Sequence, residues 1–122
     1  MTSTLPQLDE EILAGIWMLA DDDDMSFVID FFQSYWKSHA ELRENLDQAL
    51  AAGDSKEILR LAHTLKGSSA NVGAKALSGY YRSIEDACRE GRLDGFDETL
   101  ARASEEFARF RAELDRRLSQ PV

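Results

Sequence analysis

Two histidines occur in the 122 residues, and only one has neighbours suited to chemistry. His63 is followed by Lys66 and Gly67 in the string Leu61-Ala62-His63-Thr64-Leu65-Lys66-Gly67-Ser68-Ser69-Ala70-Asn71-Val72-Gly73-Ala74. A neutral imidazole nitrogen is a nucleophile near pH 7, and an ammonium one helical turn away can neutralise an anionic group passed to it. Gly67 puts no side chain where a partner would approach. A lone surface histidine is ordinarily just one more exposed residue, and it is the company of His63 that argues otherwise.

These residues act together only if a helix presents them on one side. Asp54 with Glu57 three residues on fits a capping box, so the helix begins near Ser55. Gly73 stops it around Asn71 or Val72. At about 100° per residue, Ile58, Leu61, Ala62, Leu65, Ser68, Ser69 and Val72 share an inward face. His63 lies opposite, in a stripe with Lys56, Leu59, Arg60, Lys66, Gly67 and Ala70.

The run His-x-Leu-Lys-Gly-Ser-Ser followed by Val-Gly-Ala resembles the signature of histidine-containing phosphotransfer (HPt) domains, the relay modules of bacterial and plant two-component signalling. The resemblance is strong from His63 to Ala74, fair over the next helix and architectural elsewhere. It implies a helical bundle in which His63 takes a phosphoryl group through Nε2 from the phosphoaspartate of one receiver domain and hands it to another. On the same resemblance Lys66 neutralises the phosphoryl oxygens, Gly67 leaves room, and Ser68 and Ser69 fix the helix. Glu85 matches a position where the family has a Gln or Glu that can reach the other ring nitrogen, favouring the Nδ1–H tautomer. No cofactor is implied beyond the Mg²⁺ that a receiver brings with it. The expected partners are receiver domains of response regulators or of a hybrid sensor kinase, docking on an apolar and basic patch of Leu59, Arg60 and Ala70, with Ile16 and Phe27 either extending that patch or belonging to the core. Tyr80-Tyr81 departs from the family's smaller residues and is expected to alter the groove beside the active helix.

The composition agrees with a small soluble module. With 30% charged and 43% hydrophobic residues the chain has a globular balance and enough length for one domain, residues 1–122. The net charge of −9 argues against nucleic acid and anionic membranes as partners. The single cysteine, Cys88, has no disulfide partner, which fits a reducing cytoplasm, and no apolar run is long enough to span a bilayer. A monomer is expected.

Along the chain, residues 1–7 read as a loose lead-in, and a short helix opened by Asp9 runs to about Ala20. Asp21 to Asp24 lacks the spaced ligands and glycine of a calcium loop and reads as a connection whose last aspartate caps the next helix. A long helix follows from Met25 to Ala52, with Val28, Phe31, Phe32, Tyr35, His39, Leu42, Leu46, Ala49 and Leu50 on one stripe. His39 lies within that stripe and reads as a packed or hydrogen-bonded histidine at the core's edge. After the His63 helix come helices over Ala74–Glu90 and Phe96–Leu118, the latter with a seam of apolar residues spaced by three and four, and residues 119–122 should fray. Gly79, inside a helix, marks either a close helix approach or a tolerated cost of roughly 1 kcal/mol. No strand candidate emerges. The fold class is all-α, an antiparallel up-and-down four-helix bundle with an additional short N-terminal helix.

No phosphate loop or nucleotide fingerprint is present, so a phosphoryl donor must come from outside. A sensor-kinase dimerisation domain is disfavoured because His63-Thr64-Leu65-Lys66 does not follow its His-Glu-aliphatic-basic-Thr-Pro pattern. The competing reading is a non-catalytic helical adaptor that binds a protein partner and leaves His63 idle.

Overall fold

The computed structural model describes residues 6–21 and 24–120. Five helices follow in order: α1 Glu10–Trp17, α2 Ser26–Ala52, α3 Ser55–Asn71, α4 Lys75–Arg89 and α5 Asp97–Leu118. Connections of a few residues make neighbouring helices antiparallel, so α2 to α5 run up and down as a four-helix bundle and α1 is the short extra helix. The described residues contain no strand, only an isolated bridge between Asp21 and Asp24.

The core is built where the apolar stripes meet. Phe32 of α2 is fully buried and lies 5.8 Å from Trp17, 5.9 Å from Trp36 and 6.5 Å from Phe110 by ring centroid, which ties α1 and α5 onto α2. Such tilted and offset arrangements suit aromatic quadrupoles and add to the area they bury. On α3, Ile58, Leu61, Ala62, Leu65, Ser69 and Val72 are buried as the helical period requires, while Ser68 is half-buried at the edge of that face. Its widest packing is against α4.

Caps explain the start of the His63 helix. Asp54 accepts a hydrogen bond from the Glu57 backbone N–H at 3.2 Å, as an N-cap should. The reciprocal half of the expected capping box does not form, because the Glu57 carboxylate pairs with Arg60 and the Asp54 N–H bonds Ala49 O. In the Asp21–Asp24 connection, Asp24 accepts from the Ser26 backbone N–H and hydroxyl, beside the start of α2.

Gly73 closes α3 with φ of +82°, and a Cβ there would stand 2.9 Å from Leu13 Cγ. Only glycine meets both demands. Its carbonyl accepts from the Asp9 N–H at 2.9 Å, so α1 is fastened across the α3–α4 corner.

The lead-in is less loose than its composition suggests. Residues 1–5 and 121–122 lie outside the described residues, but Gln7 is held: its N–H donates to the buried carboxylate of Glu106 at 2.9 Å and its carbonyl accepts from Ala76. At the other end α1 stops at Trp17, three residues earlier than its apolar pattern suggests. Of the last two residues of that pattern, Leu19 is exposed and Ala20 is half-buried against the core.

Candidate functional site

The inner face of α3 turns His63 outward, and 61% of its side chain meets solvent. Its Nδ1 lies 2.6 Å from Glu85 Oε2 on α4, a carboxylate only 2% exposed. Glu85 Oε1 accepts from Lys66 Nζ at 2.7 Å, and Oε2 also accepts from Arg89 at 3.1 Å. Burial alone pushes the Glu85 carboxyl upward, but the hydrogen bonds from Lys66, His63 and Arg89 outweigh it and hold the pKa at about 2. An ionised carboxylate only accepts, so Nδ1 carries the proton and, in the neutral ring, Nε2 keeps its lone pair.

The expectation for Glu85 therefore resolves in favour of contact. It is no ordinary exposed acid. The signal was present in α4, where Glu85 follows Tyr81 by four and precedes Cys88 by three, both buried. Arg89, four residues further on, was not singled out by the sequence, although the (i, i+4) spacing from Glu85 is a recognised ion-pair register.

Small residues keep the space beside the ring open. His63, Lys66, Gly67 and Ala70 of α3 face Ser78 and Gly79 of α4 across a groove of about 710 Å³. A Cβ added at Gly67 or Gly79 would meet nothing within 4 Å. Gly79 thus marks an open groove and not a close helix approach. The Ser78 hydroxyl donates to the Lys66 carbonyl at 2.8 Å, fixing the lysine's turn of helix to α4. Lys66, Lys75, Arg82 and Arg89 line the groove with Glu85 and Asp86, a local excess of cations on a chain of net charge −9.

Several expected contributors sit elsewhere. Leu59 is half-buried and packs against the core, so only part of its side chain remains on the stripe that carries His63. Ile16 is buried at 7%, whereas Phe27 is 54% exposed. Arg60 is exposed and ion-paired with Glu57 at 2.8 Å. Tyr81 does not border the groove: it is fully buried, with its hydroxyl 2.7 Å from His39 Nε2, and burial pushes that phenol up to about 12. Ser69 is buried and bonds the Tyr35 hydroxyl at 2.8 Å, anchoring α3 to α2, while Ser68 bonds only the Leu65 carbonyl of its own helix. His39 is the packed core histidine that its place in the α2 stripe predicts, stacked on Phe107 at 4.0 Å.

Comparison with known proteins agrees with this architecture. The family model described as the Hpt domain matches residues 30–120. Histidine-containing phosphotransfer protein 4 of Arabidopsis thaliana is 31% identical over 110 residues, covering 88% of this chain and 86% of that protein. Pseudo histidine-containing phosphotransfer protein 1 of Oryza sativa is 26% identical over 110 residues, 88% of this chain and 58% of its own length. The crystal structure of histidine-containing phosphotransfer protein B from Pseudomonas aeruginosa superposes with a TM-score of 0.78 at 28% identity, over 94% of this chain and 98% of that one. The chain belongs to the Hpt domain family. Among the described residues no helix is long and apolar enough to cross a membrane.

Proposed function

We propose that this chain is a phosphorelay intermediate that carries a phosphoryl group on His63 Nε2 between receiver-domain aspartates. The observation that carries the reading is the pairing of an exposed imidazole with a buried carboxylate through Nδ1, which leaves the nucleophilic nitrogen facing solvent. Family membership alone would not suffice, since a relative is named a pseudo phosphotransfer protein.

The chain's own residues do three things in this step. Glu85 holds the ring in one tautomer and orientation. Lys66 commits one ammonium proton to Glu85 and retains two donors for phosphoryl oxygens. Gly67, with Ala70 and Gly79, leaves the groove beside the ring open to a partner's acidic site. The groove's cations complement an aspartyl phosphate and its surrounding carboxylates, and the Mg²⁺ of that site arrives with the receiver.

Incubation with receivers carrying a labelled phosphoaspartate tests the reading. Acid-labile, base-stable label on His63 is the expected result, and receiver binding without label would instead favour the adaptor reading.

A further inference from the structure

The hydrogen bond from His63 to Glu85 places a full negative charge, and not merely an acceptor, behind the ring. The geometry points to Glu85 as the counter-ion of a protonated phosphohistidine, so that the phosphoryl group enters and leaves His63 without any proton crossing to solvent. This inference rests on His63 being the phosphoryl carrier.

The step balances as follows. The Nε2 lone pair of the neutral ring forms the N–P bond while the acyl phosphate O–P bond of the partner's aspartate breaks, and that aspartate leaves as a carboxylate. The ring still holds its Nδ1 proton and has become a cation. In reverse, the N–P bond breaks to release a neutral imidazole, a far better leaving group than the imidazolate that an unprotonated ring would have to become. The readiness of phospho-His63 to donate therefore depends on keeping the Nδ1 proton.

The charges around the ring favour keeping it. On α3 the charged groups on the ring's side are Lys66 and, one turn back, Arg60, which is paired with Glu57 at 2.8 Å; on α4 they are Glu85 and Arg89, and the cations Lys66 and Arg89 both donate to the Glu85 carboxylate. Arg82 and Asp86, also on α4, pair with one another at 4.0 Å and nearly cancel. Lys75 borders the groove at the start of α4, ten residues and about 15 Å along the helix from Glu85. A phosphoryl group brings close to two negative charges. Together with Glu85 it supplies three, matched by Lys66, Arg89 and a protonated ring. Without the Glu85 charge the two fixed cations already balance the phosphoryl group, and the ring proton becomes surplus.

A glutamine at this position would preserve the hydrogen bond to Nδ1 and remove the charge. This separates the charge from the orientation. Removing Arg89 alters the balance the other way, leaving the ring proton more strongly held.

The test uses the full chain, phosphorylated at histidine with phosphoramidate, in wild-type, Glu85→Gln and Arg89→Ala forms. The Nδ1 proton of the phosphorylated ring is followed by ¹⁵N NMR across a pH titration, together with discharge to an unphosphorylated receiver. In the wild type the ring should stay protonated through neutrality, with a discharge rate flat around pH 7. In Glu85→Gln the Nδ1 pKa should fall by about one unit or more, a tenfold change in the protonation equilibrium. Its discharge should slow correspondingly as pH rises. Arg89→Ala should shift the pKa upward; a purely orienting network would move both variants the same way. Equal Nδ1 pKa values in wild type and Glu85→Gln overturn the inference while leaving the carrier role intact. Failure of His63 to exchange phosphoryl groups with any receiver overturns the carrier role itself.

Discussion

His63 Nδ1 and Glu85 Oε2 meet at 2.6 Å across 22 residues of chain, and of the two side chains only the histidine reaches solvent. The tautomer of the reactive ring is thus set by how α3 packs on α4. Because Lys66 and Arg89 bond the same carboxylate, the site is one electrostatic unit.

That unit changes what is expected of Lys66. Read from sequence it is a surface residue whose loss costs at most about 0.5 kcal/mol. In the structure it donates to a buried carboxylate, so Lys66→Ala should destabilise the fold by about 1–3 kcal/mol, with His63 and Arg89 still partnering Glu85. Phosphotransfer should slow as well. Urea denaturation and single-turnover transfer on the variant check both, and wild-type values for each would show the lysine to be an ordinary solvated residue.

Much of this was legible in the sequence because it depends on local chemistry. Asp54, the apolar stripe of α3 and Gly73 place that helix and turn His63 outward from period and caps alone. What was not legible depends on distance between helices. Glu85 lies at the edge of the α4 stripe, where only the α3–α4 packing decides between solvent and contact. Gln7 is held by Glu106, 99 residues away, which no local pattern encodes. The degree of exposure of Leu59, which is half-buried, and of Ile16, which is core, likewise depends on tertiary packing that helical period alone does not give.

For His63→Gln, the fold should survive unchanged, since the side chain is outside the core and Glu85 keeps Lys66 and Arg89. Label from a phosphorylated receiver should vanish. Label that persists, or that maps to His39, sinks the assignment; the burial of His39 between Tyr81 and Phe107 makes the second outcome sterically implausible.

Gly67 should show effects of opposite sign. A Cβ there meets nothing, and alanine is favoured over glycine inside a helix by up to roughly 1 kcal/mol, so Gly67→Ala should hold or raise the melting temperature. The same side chain narrows the groove beside His63. Receiver binding and transfer should weaken together, more so in Gly67→Gln. Melting curves paired with binding titrations decide it: lost stability with full transfer would mean that α3 is turned differently from the structure.

His39 should give the fold a pH dependence at mildly acidic pH. Burial, aided by Arg43, lowers its pKa from 6.5 to about 4. The unfolded chain therefore binds a proton that the folded one refuses throughout this interval. Stability is complete above about pH 6.5 and declines as pH falls toward 4, by about 3 kcal/mol at most. Two carboxylates act in a lower window. Glu85, as already described, and Glu113, held down by hydrogen bonds from Arg116 and Arg117, both have pKa values of about 2, so their contributions are present above about pH 4.5 and are lost below it. Denaturant titrations at pH 7 and pH 4.5 separate the two windows. The wild type should lose stability between those values, whereas His39→Gln should be nearly flat between them and lose stability only at lower pH. An unchanged slope in His39→Gln would show that another group titrates there.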